Sequence, residues 1–312
     1  MGHAIAGMLS VHGCKVHVLC RNPNQWRKLM SVDYMGTMLV GAICSVTSNV
    51  PNYAFDVIVI SCPLTAAPDI LKTLTGKLQG QPPLVCVPGR LFCQYLDEAG
   101  FSSHPAVLVS RVPYICRTQT YGASVRVLGI AHDGLKYATR NCRPNDLLRK
   151  LFKMDTRWLP NRLSIDMSNS NSLLHPARMV DIFCSRKAVY RTVKFYADWT
   201  DNASTLLMRA DDELQCIIRH LNNNETAHIE VTPILSHYEC ANAPELTNKI
   251  ASITSLKEIE VPLTDDCKLD KEHRYYTEDV LVGLRAIVQA AEESGVDTPT
   301  IHFIYRALTT QC

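Results

Sequence analysis

The sequence lacks long apolar runs. No stretch approaches the roughly 18 apolar residues that a membrane-spanning helix needs, and the first residues lack the basic-then-apolar profile of a secretory signal. It also lacks an excess of charge, with 32 Lys and Arg against 30 Asp and Glu and a formal net charge of +2, and it contains no long Lys/Arg run. Nothing in that pattern favours nucleic acid or an anionic membrane surface. The expected partners are small molecules and the expected compartment is cytoplasmic. There is no internal repeat and no low-complexity tract, since "SNSN" and "NNNE" are short enough to be loop or cap material. Cysteine is plentiful at 13 residues, but no two stand in CxxC spacing and the count is odd. That is poor material for a metal site or a disulfide framework. Cys62, Cys86 and Cys116 lie inside apolar, strand-like runs and read as small buried hydrophobes kept reduced, with no metal expected.

What is present fits two ordinary domains, because 312 residues with 46% hydrophobic content can build two cores. The first half alternates strand-like and helix-like segments: a helical "HAIAGMLSVHG" ended by Gly13, then "KVHVLC", "VGAICSVTS", "FDVIVISCP", a helical "DILKTLTGKL" and the buried-looking "PPLVCVPG". This is the pattern of a Rossmann-like, doubly wound α/β sheet. "AVLVSRVPY" and "ASVRVLGIAH" are expected to form a late hairpin or edge strands. From about Asn145 the apolar residues recur at helical spacing, most clearly in "DDELQCIIRHL" and "YTEDVLVGLRAIVQAAEESG". The expected division is therefore 1–145, a nucleotide-binding domain, and 146–312, an all-α domain.

The opening "MGHAIAG" reads as a dinucleotide-binding turn with its start cut away. In GxGxxG the first two glycines let the backbone reach the pyrophosphate and the third lets helix and strand pack closely. Gly2, followed by His3, fits the third position, and the strand and earlier glycines would lie upstream of Met1. The favoured expectation is a trimmed start, with a degraded copy as the alternative. At the end of the next strand a carboxylate would take the ribose hydroxyls and an Arg would pair with a 2′-phosphate. "LCRNPN" offers Arg21 and Asn22 and no acid, which favours NADP(H) over NAD(H); the plainer reading of Arg21 is a solvated loop residue. Ser61, Cys62 and Pro63, and Pro88, Gly89 and Arg90, follow strand-like runs at the carboxyl edge of the sheet, where a doubly wound fold binds its ligand.

In "MSNSNSLLHPARMV", Pro176 suits a first helical turn, where its missing N–H costs nothing. That places His175 at a helix start. A lone His among apolar residues is more often structural, but an imidazole in a cleft can exchange the proton that accompanies hydride transfer to a carbonyl or imine. In "EHRYYTEDVLVGL", Arg274 and Asp279 stand at the start of an amphipathic helix. Either they are surface, or Arg274 clamps a substrate carboxylate while Asp279 accepts the second ring N–H of His175.

These segments carry a specific resemblance. "GHAIAG", "VPGR", "VPYICRTQTYGASVRVLG", "SNSNSLLHP", "HRYYTEDV" and "GVDTPTI" stand in the order found in the opine dehydrogenases, the octopine and nopaline dehydrogenase family, whose PYxCR, SNxNPxxHP, RYxTEDVP and GVPTPTI motifs they resemble over nearly the whole chain. The resemblance implies a Rossmann domain followed by an all-helical domain. It also implies reductive condensation of an amino acid with a 2-oxo acid, commonly pyruvate, at the expense of a nicotinamide hydride. The family's catalytic His falls on His175, its Arg on Arg274 and its acid on Asp279. Arg117 and Arg178 are further candidates for substrate carboxylates, and Tyr114 and Asn171 belong to the matched segments as candidate substrate contacts. Two positions depart from the family pattern: Ser172 and Leu281 stand where the family has Pro. Two other readings stay open: a 2- or 3-oxo acid reductase of the ketopantoate reductase and 6-phosphogluconate dehydrogenase type, which would carry a catalytic Lys on the first helix of the second domain, and a nucleotide-free remnant acting as an interaction protein. The sequence singles out no substrate pair and no oligomeric state.

Overall fold

The computed structural model describes residues 1–131, 133–184, 193–223 and 228–311. The chain divides into two compact units, Met1–Ile165 and Asp166–Cys312. The first runs on past the division expected at 145/146, because the following elements rejoin its sheet and core.

The first unit begins with α1 (Gly2–Val11), β1 (Val16–Leu19), β2 (Leu29–Tyr34), β3 (Thr37–Thr47) and β4 (Ile58–Ile60). It continues through α2 (Ala67–Leu74), β5 (Leu84–Cys86), α3 (Phe92–Glu98) and β6 (Ala106–Val109). A late hairpin is present, but its first strand is β7 (Tyr114–Thr120), paired with β8 (Ser124–Ile130), and not the expected 106–114 segment, whose Ala106–Val109 is β6 inside the other sheet; β9 (Leu135–Arg140), α4 (Leu147–Phe152), β10 (Thr156–Trp158) and α5 (Leu163–Asp166) follow. The strands form two five-stranded sheets, β1-β3-β2-β8-β7 and β10-β9-β6-β5-β4. The β4–β5–β6 run is parallel, as alternating strand and helix dictate, and β9 closes on β6 antiparallel. β5 and β6 are buried throughout while β1 and β4 are half-buried. β1 and β7 end one sheet, and β10 and β4 end the other.

Sequence pattern explains how α1 lies on its sheet. Ala4, Ile5, Ala6, Met8 and Leu9 are all buried against Met30, Val32, Val125 and Val127. The helix comes so close that a Cβ on Gly7 would lie 2.6 Å from Val32 Cγ2, and one on Gly41 2.7 Å from the Gly7 carbonyl. Both positions therefore need glycine, the close helix–strand packing that such a turn uses.

The second unit is helical: α6 (Asn169–Phe183), α7 (Asp201–Asn222), α8 (Ile234–Tyr238), α9 (Ala243–Ala251), a π-helical segment Tyr275–Leu284 continuing into α10 (Arg285–Ser294), and α11 (Pro299–Arg306). α7 is capped by Thr200, which accepts the Ala203 N–H, and buries Leu207, Leu214, Ile217 and Ile218. The predicted helix over "YTEDVLVGL" is present but wound with the wider π spacing, a form rare at this length and common at functional sites. No helix among the described residues is long and apolar enough to cross a membrane. Eleven described cysteines stand outside disulfides, whereas Cys184, just past the end of α6, is disulfide-bonded. Reading every cysteine as a reduced hydrophobe is corrected at that position.

Candidate active site

His175 sits inside α6, not at its start. The helix begins at Asn169, so Pro176 is an interior proline. Having no N–H, Pro176 leaves the carbonyl of Ser172 without its helical donor. Ser172 is fully buried and its Oγ also lacks a partner. The imidazole of His175 is 2% exposed. Its Nδ1 lies 2.7 Å from Asp279 Oδ2 and its Nε2 2.6 Å from the Tyr196 hydroxyl. The ring stacks on Tyr275 with centroids 3.8 Å apart and meets Phe195 edge-on. An ionised carboxylate only accepts, so the network assigns the Nδ1 proton to the Asp279 side and leaves Nε2 as the acceptor of the tyrosine O–H.

The π spacing of Tyr275–Leu284 turns both Tyr275 and Asp279 inward, and each is buried. Arg274, one residue earlier, is exposed and lies with its guanidinium 5.9 Å from the Tyr275 ring centroid. It forms no ion pair with any described residue, so its charge remains open to an anionic ligand. His273 is half-buried; burial and the neighbouring Arg274 charge push its pKa down. His175, Asp279 and Arg274 are thus gathered around one aromatic ring, Tyr275.

Arg178, expected as a second carboxylate clamp, is spent within the protein. Its Nε donates to the Phe195 carbonyl, one amine nitrogen to the Asp198 carbonyl and the other to Asp181 at 2.5 Å. At 2% exposure it holds the segment after α6 and not a ligand. Tyr114 is likewise corrected: it is 1% exposed, packs edge-on against Phe152 in the core of the first unit, and its hydroxyl has no partner. Asn171 is exposed in the first turn of α6, whereas neighbouring Asn169 is buried and donates to Asp211 and to the Thr232 carbonyl. Arg117 is exposed on β7, directly across from Arg126 on β8.

The candidate cofactor residues lie in the first unit. Gly2 opens α1 beside Ser61: a Cβ there would lie 3.9 Å from the Ser61 carbonyl. α1 has no side-chain N-cap, so its first N–H groups are free to meet an anion. The buried Ser61 Oγ has no hydrogen-bond partner among the described residues. An orphaned hydroxyl beside an uncapped helix start fits a ligand that carries phosphates and ribose oxygens. His3 is engaged otherwise: its Nε2 accepts the Gly122 N–H at 2.8 Å and its ring stacks on Trp26 at 4.5 Å. Burial lowers its pKa. Its ring therefore ties α1 to the β7–β8 turn and is corrected as a cofactor contact. Gly89 is buried, and its missing side chain makes room for the backbone of β6, where a Cβ would meet Leu108 Cα at 2.5 Å. Pro88 is exposed, Arg90 and Cys62 are half-buried, and Pro63 is exposed before α2. Arg21 and Asn22 are exposed just beyond β1.

Sequence reasoning missed Tyr196 and the part played by Tyr275. The signal for the first was "KFYADW", three aromatics in a polar stretch; the second stood in plain view beside Arg274.

Residues 158–311 match the model of the NAD/NADP octopine/nopaline dehydrogenase α-helical domain. Vitopine synthase of Allorhizobium ampelinum is 25% identical over 299 residues, covering 92% of this chain and 79% of that protein. Among solved structures, an octopine dehydrogenase with NADH and L-arginine superposes with a TM-score of 0.81 at 20% identity, over 97% of this chain and 85% of that one. Its complex with NADH and pyruvate gives a TM-score of 0.80. A yersinopine dehydrogenase bound to NADP+ gives 0.65 at 11% identity, over 96% of this chain and 88% of that one. The fold likeness covers both units.

Proposed function

We propose that the chain, whose residues 158–311 match the octopine/nopaline dehydrogenase helical domain, is an opine dehydrogenase that joins the amino group of an amino acid to a 2-oxo acid such as pyruvate and reduces the product to an opine. The observation that carries this reading is the buried His175–Asp279 pair, 2.7 Å apart, with His175 stacked on Tyr275 and Arg274, which has no ion pair among the described residues, beside the same ring. Addition of an amine to a carbonyl requires the oxygen to take up a proton, and its departure as water requires another. His175 in its cationic form supplies the proton, and Asp279 at Nδ1 holds the ring orientation and stabilises the imidazolium. Arg274 binds a substrate carboxylate, the role for which a planar guanidinium is suited. The nicotinamide, when bound, supplies the hydride that completes the reduction. Gly2 and the α1 amides, Ser61, Cys62, Arg21 and Asn22 are the residues proposed to hold it, with NADP(H) ahead of NAD(H) because a cation stands where an acid would select NAD.

The oxo acid reductase reading is less favoured, since α6 carries His175 and no lysine. The decisive experiment is to follow nicotinamide oxidation by the purified chain with pyruvate, a pool of amino acids, and either NADPH or NADH. Oxidation that requires both the oxo acid and an amino acid establishes the opine reaction. Oxidation with the oxo acid alone assigns the reductase, and silence with every pair returns the chain to a binding role.

A further inference from the structure

The buried network around His175 contains a group that neither the sequence motifs nor the acid–base pair accounts for. Both ring nitrogens are occupied: Nδ1 by Asp279 and Nε2 by Tyr196 at 2.6 Å. The imidazole has no nitrogen left with which to touch a substrate. We propose, resting on the opine reading above, that Tyr196 is the third member of the acid–base unit, and that its hydroxyl is the atom through which His175 passes a proton to the reacting carbonyl oxygen.

The geometry supports this in three ways. The first is the donor count. A neutral imidazole with its proton on Nδ1 accepts the Tyr196 O–H at Nε2; once protonated, Nε2–H donates to the phenol oxygen instead. Tyr275 lies within hydrogen-bonding reach of the same oxygen, and once the imidazolium donates to that oxygen the phenol's own proton is the one it can pass on. Second, Tyr196 is 7% exposed, and burial together with the neighbouring Tyr275 raises its pKa well above the usual phenol value. It therefore stays a neutral O–H, a conduit that does not trap charge. Third, the backbone on either side is held rigid. Buried Arg178 donates to the carbonyls of Phe195 and Asp198, which bracket Tyr196, the Lys194 N–H donates to Asp198, and the Tyr196 ring stacks with Trp199. A merely space-filling tyrosine would not need an arginine sacrificed to position its peptide.

The step balances. The amine nitrogen forms a bond to the carbonyl carbon as the C=O π pair moves to oxygen. That oxygen takes the phenolic proton, the phenol oxygen takes the Nε2 proton, and His175 is left neutral beside Asp279. Tyr196 is unchanged overall. The groups facing the phenol are Asp279, Tyr275, Tyr238 and His175.

The test is Tyr196→Phe, with His175→Ala as its comparator. A relay predicts that Tyr196→Phe lowers kcat by about a hundredfold or more, with little change in the KM of the oxo acid and a flattened pH profile. Unaltered kcat and pH profile in a folded Tyr196→Phe, alongside an inactive His175→Ala, would overturn it. Should Tyr196→Phe fail to fold, 3,5-difluorotyrosine at 196 keeps the shape and lowers the phenol's proton affinity: a relay shifts the alkaline limb of the profile downward, and an unshifted limb refutes it. Full turnover in His175→Ala faults the acid–base assignment on which the proposal rests. The nitrogen-15 resonances of His175 read the contact without turnover, because Nε2 loses its hydrogen-bonded shift in Tyr196→Phe if the bond exists and keeps it if not.

Discussion

His175 Nδ1 and Asp279 Oδ2 stand 2.7 Å apart although 104 residues separate them in the chain. One side chain rides inside α6 and the other on the π-helical segment, and the two elements pack together to bury the pair at 2% and 5% exposure. A buried carboxylate hydrogen-bonded to one ring nitrogen fixes the tautomer and the orientation of the imidazole.

Replacing Asp279 by Asn keeps volume and one acceptor but removes the charge and allows the wrong tautomer. Expected is a fall in kcat of about two to four orders of magnitude with a smaller change in KM. Steady-state kinetics on the folded variant check this. A kcat within a few-fold of the parent would show that the carboxylate plays no part in the proton transfer.

Two arginines of the same unit should behave oppositely. Arg178→Met leaves Asp181 with the Thr200 and Asn202 donors but without its cation, and frees the carbonyls of Phe195 and Asp198; loss of one partner from a buried pair costs about 3–5 kcal/mol. A lowered denaturation midpoint is expected. Arg274→Met removes an exposed charge with no ion pair among the described residues and should leave the midpoint in place. It should raise the KM of a carboxylate substrate about ten- to a hundredfold, as loss of a hydrogen bond to a charged group implies. Paired melts and kinetics separate the two, and an equal loss of stability in both variants would contradict the distinction.

Ser172 gives a stability prediction of the opposite sign. Its Oγ is fully buried without a partner, and Pro176 deprives its carbonyl of a donor as well. An unsatisfied buried hydroxyl carries a penalty of about 1–3 kcal/mol, so Ser172→Ala should stabilise the protein or leave it unchanged. Chemical denaturation measures this directly, and a destabilised Ser172→Ala would mean that the hydroxyl is hydrogen-bonded in solution.

The alternating segments of the first half were legible because strand period and helix period differ sharply in "KVHVLC", "DILKTLTGKL" and "PPLVCVPG". The pairing of the strands was not, because period says nothing about neighbours: the β2–β3 hairpin joins β8 in a sheet separate from the β4–β6 run. The motif residues His175, Arg274 and Asp279 were legible as types at fixed spacing. Their surroundings were not. Arg178 and Tyr114 lie in the same motifs, yet one is consumed by Asp181 and two backbone carbonyls and the other by the core, since burial depends on which face of an element meets its neighbour. Tyr196 escaped notice for the converse reason: it stands in no motif and comes to His175 only through the packing of the segment after α6.

The proposed preference for NADP(H) rests on Arg21. It is exposed at the end of β1, in the position where a doubly wound fold meets the adenosine ribose, and Asn22 beside it is exposed as well. No described residue pairs with its guanidinium, so a 2′-phosphate would meet an uncompensated cation, and an Arg–phosphate pair is bidentate and charge-assisted. Arg21→Asp replaces that cation with the acceptor that suits ribose hydroxyls and repels a phosphate. The ratio of kcat/KM for NADPH to that for NADH should fall by about two orders of magnitude, each 1.4 kcal/mol being tenfold, because the variant both loses an ion pair and gains a like charge. Because the side chain is exposed, the melting temperature should not move. Kinetics with each coenzyme in turn, at fixed ionic strength so that screening is equal, read the ratio. An unchanged ratio would mean that Arg21 faces solvent when the coenzyme is bound, and that selectivity resides elsewhere on the first unit.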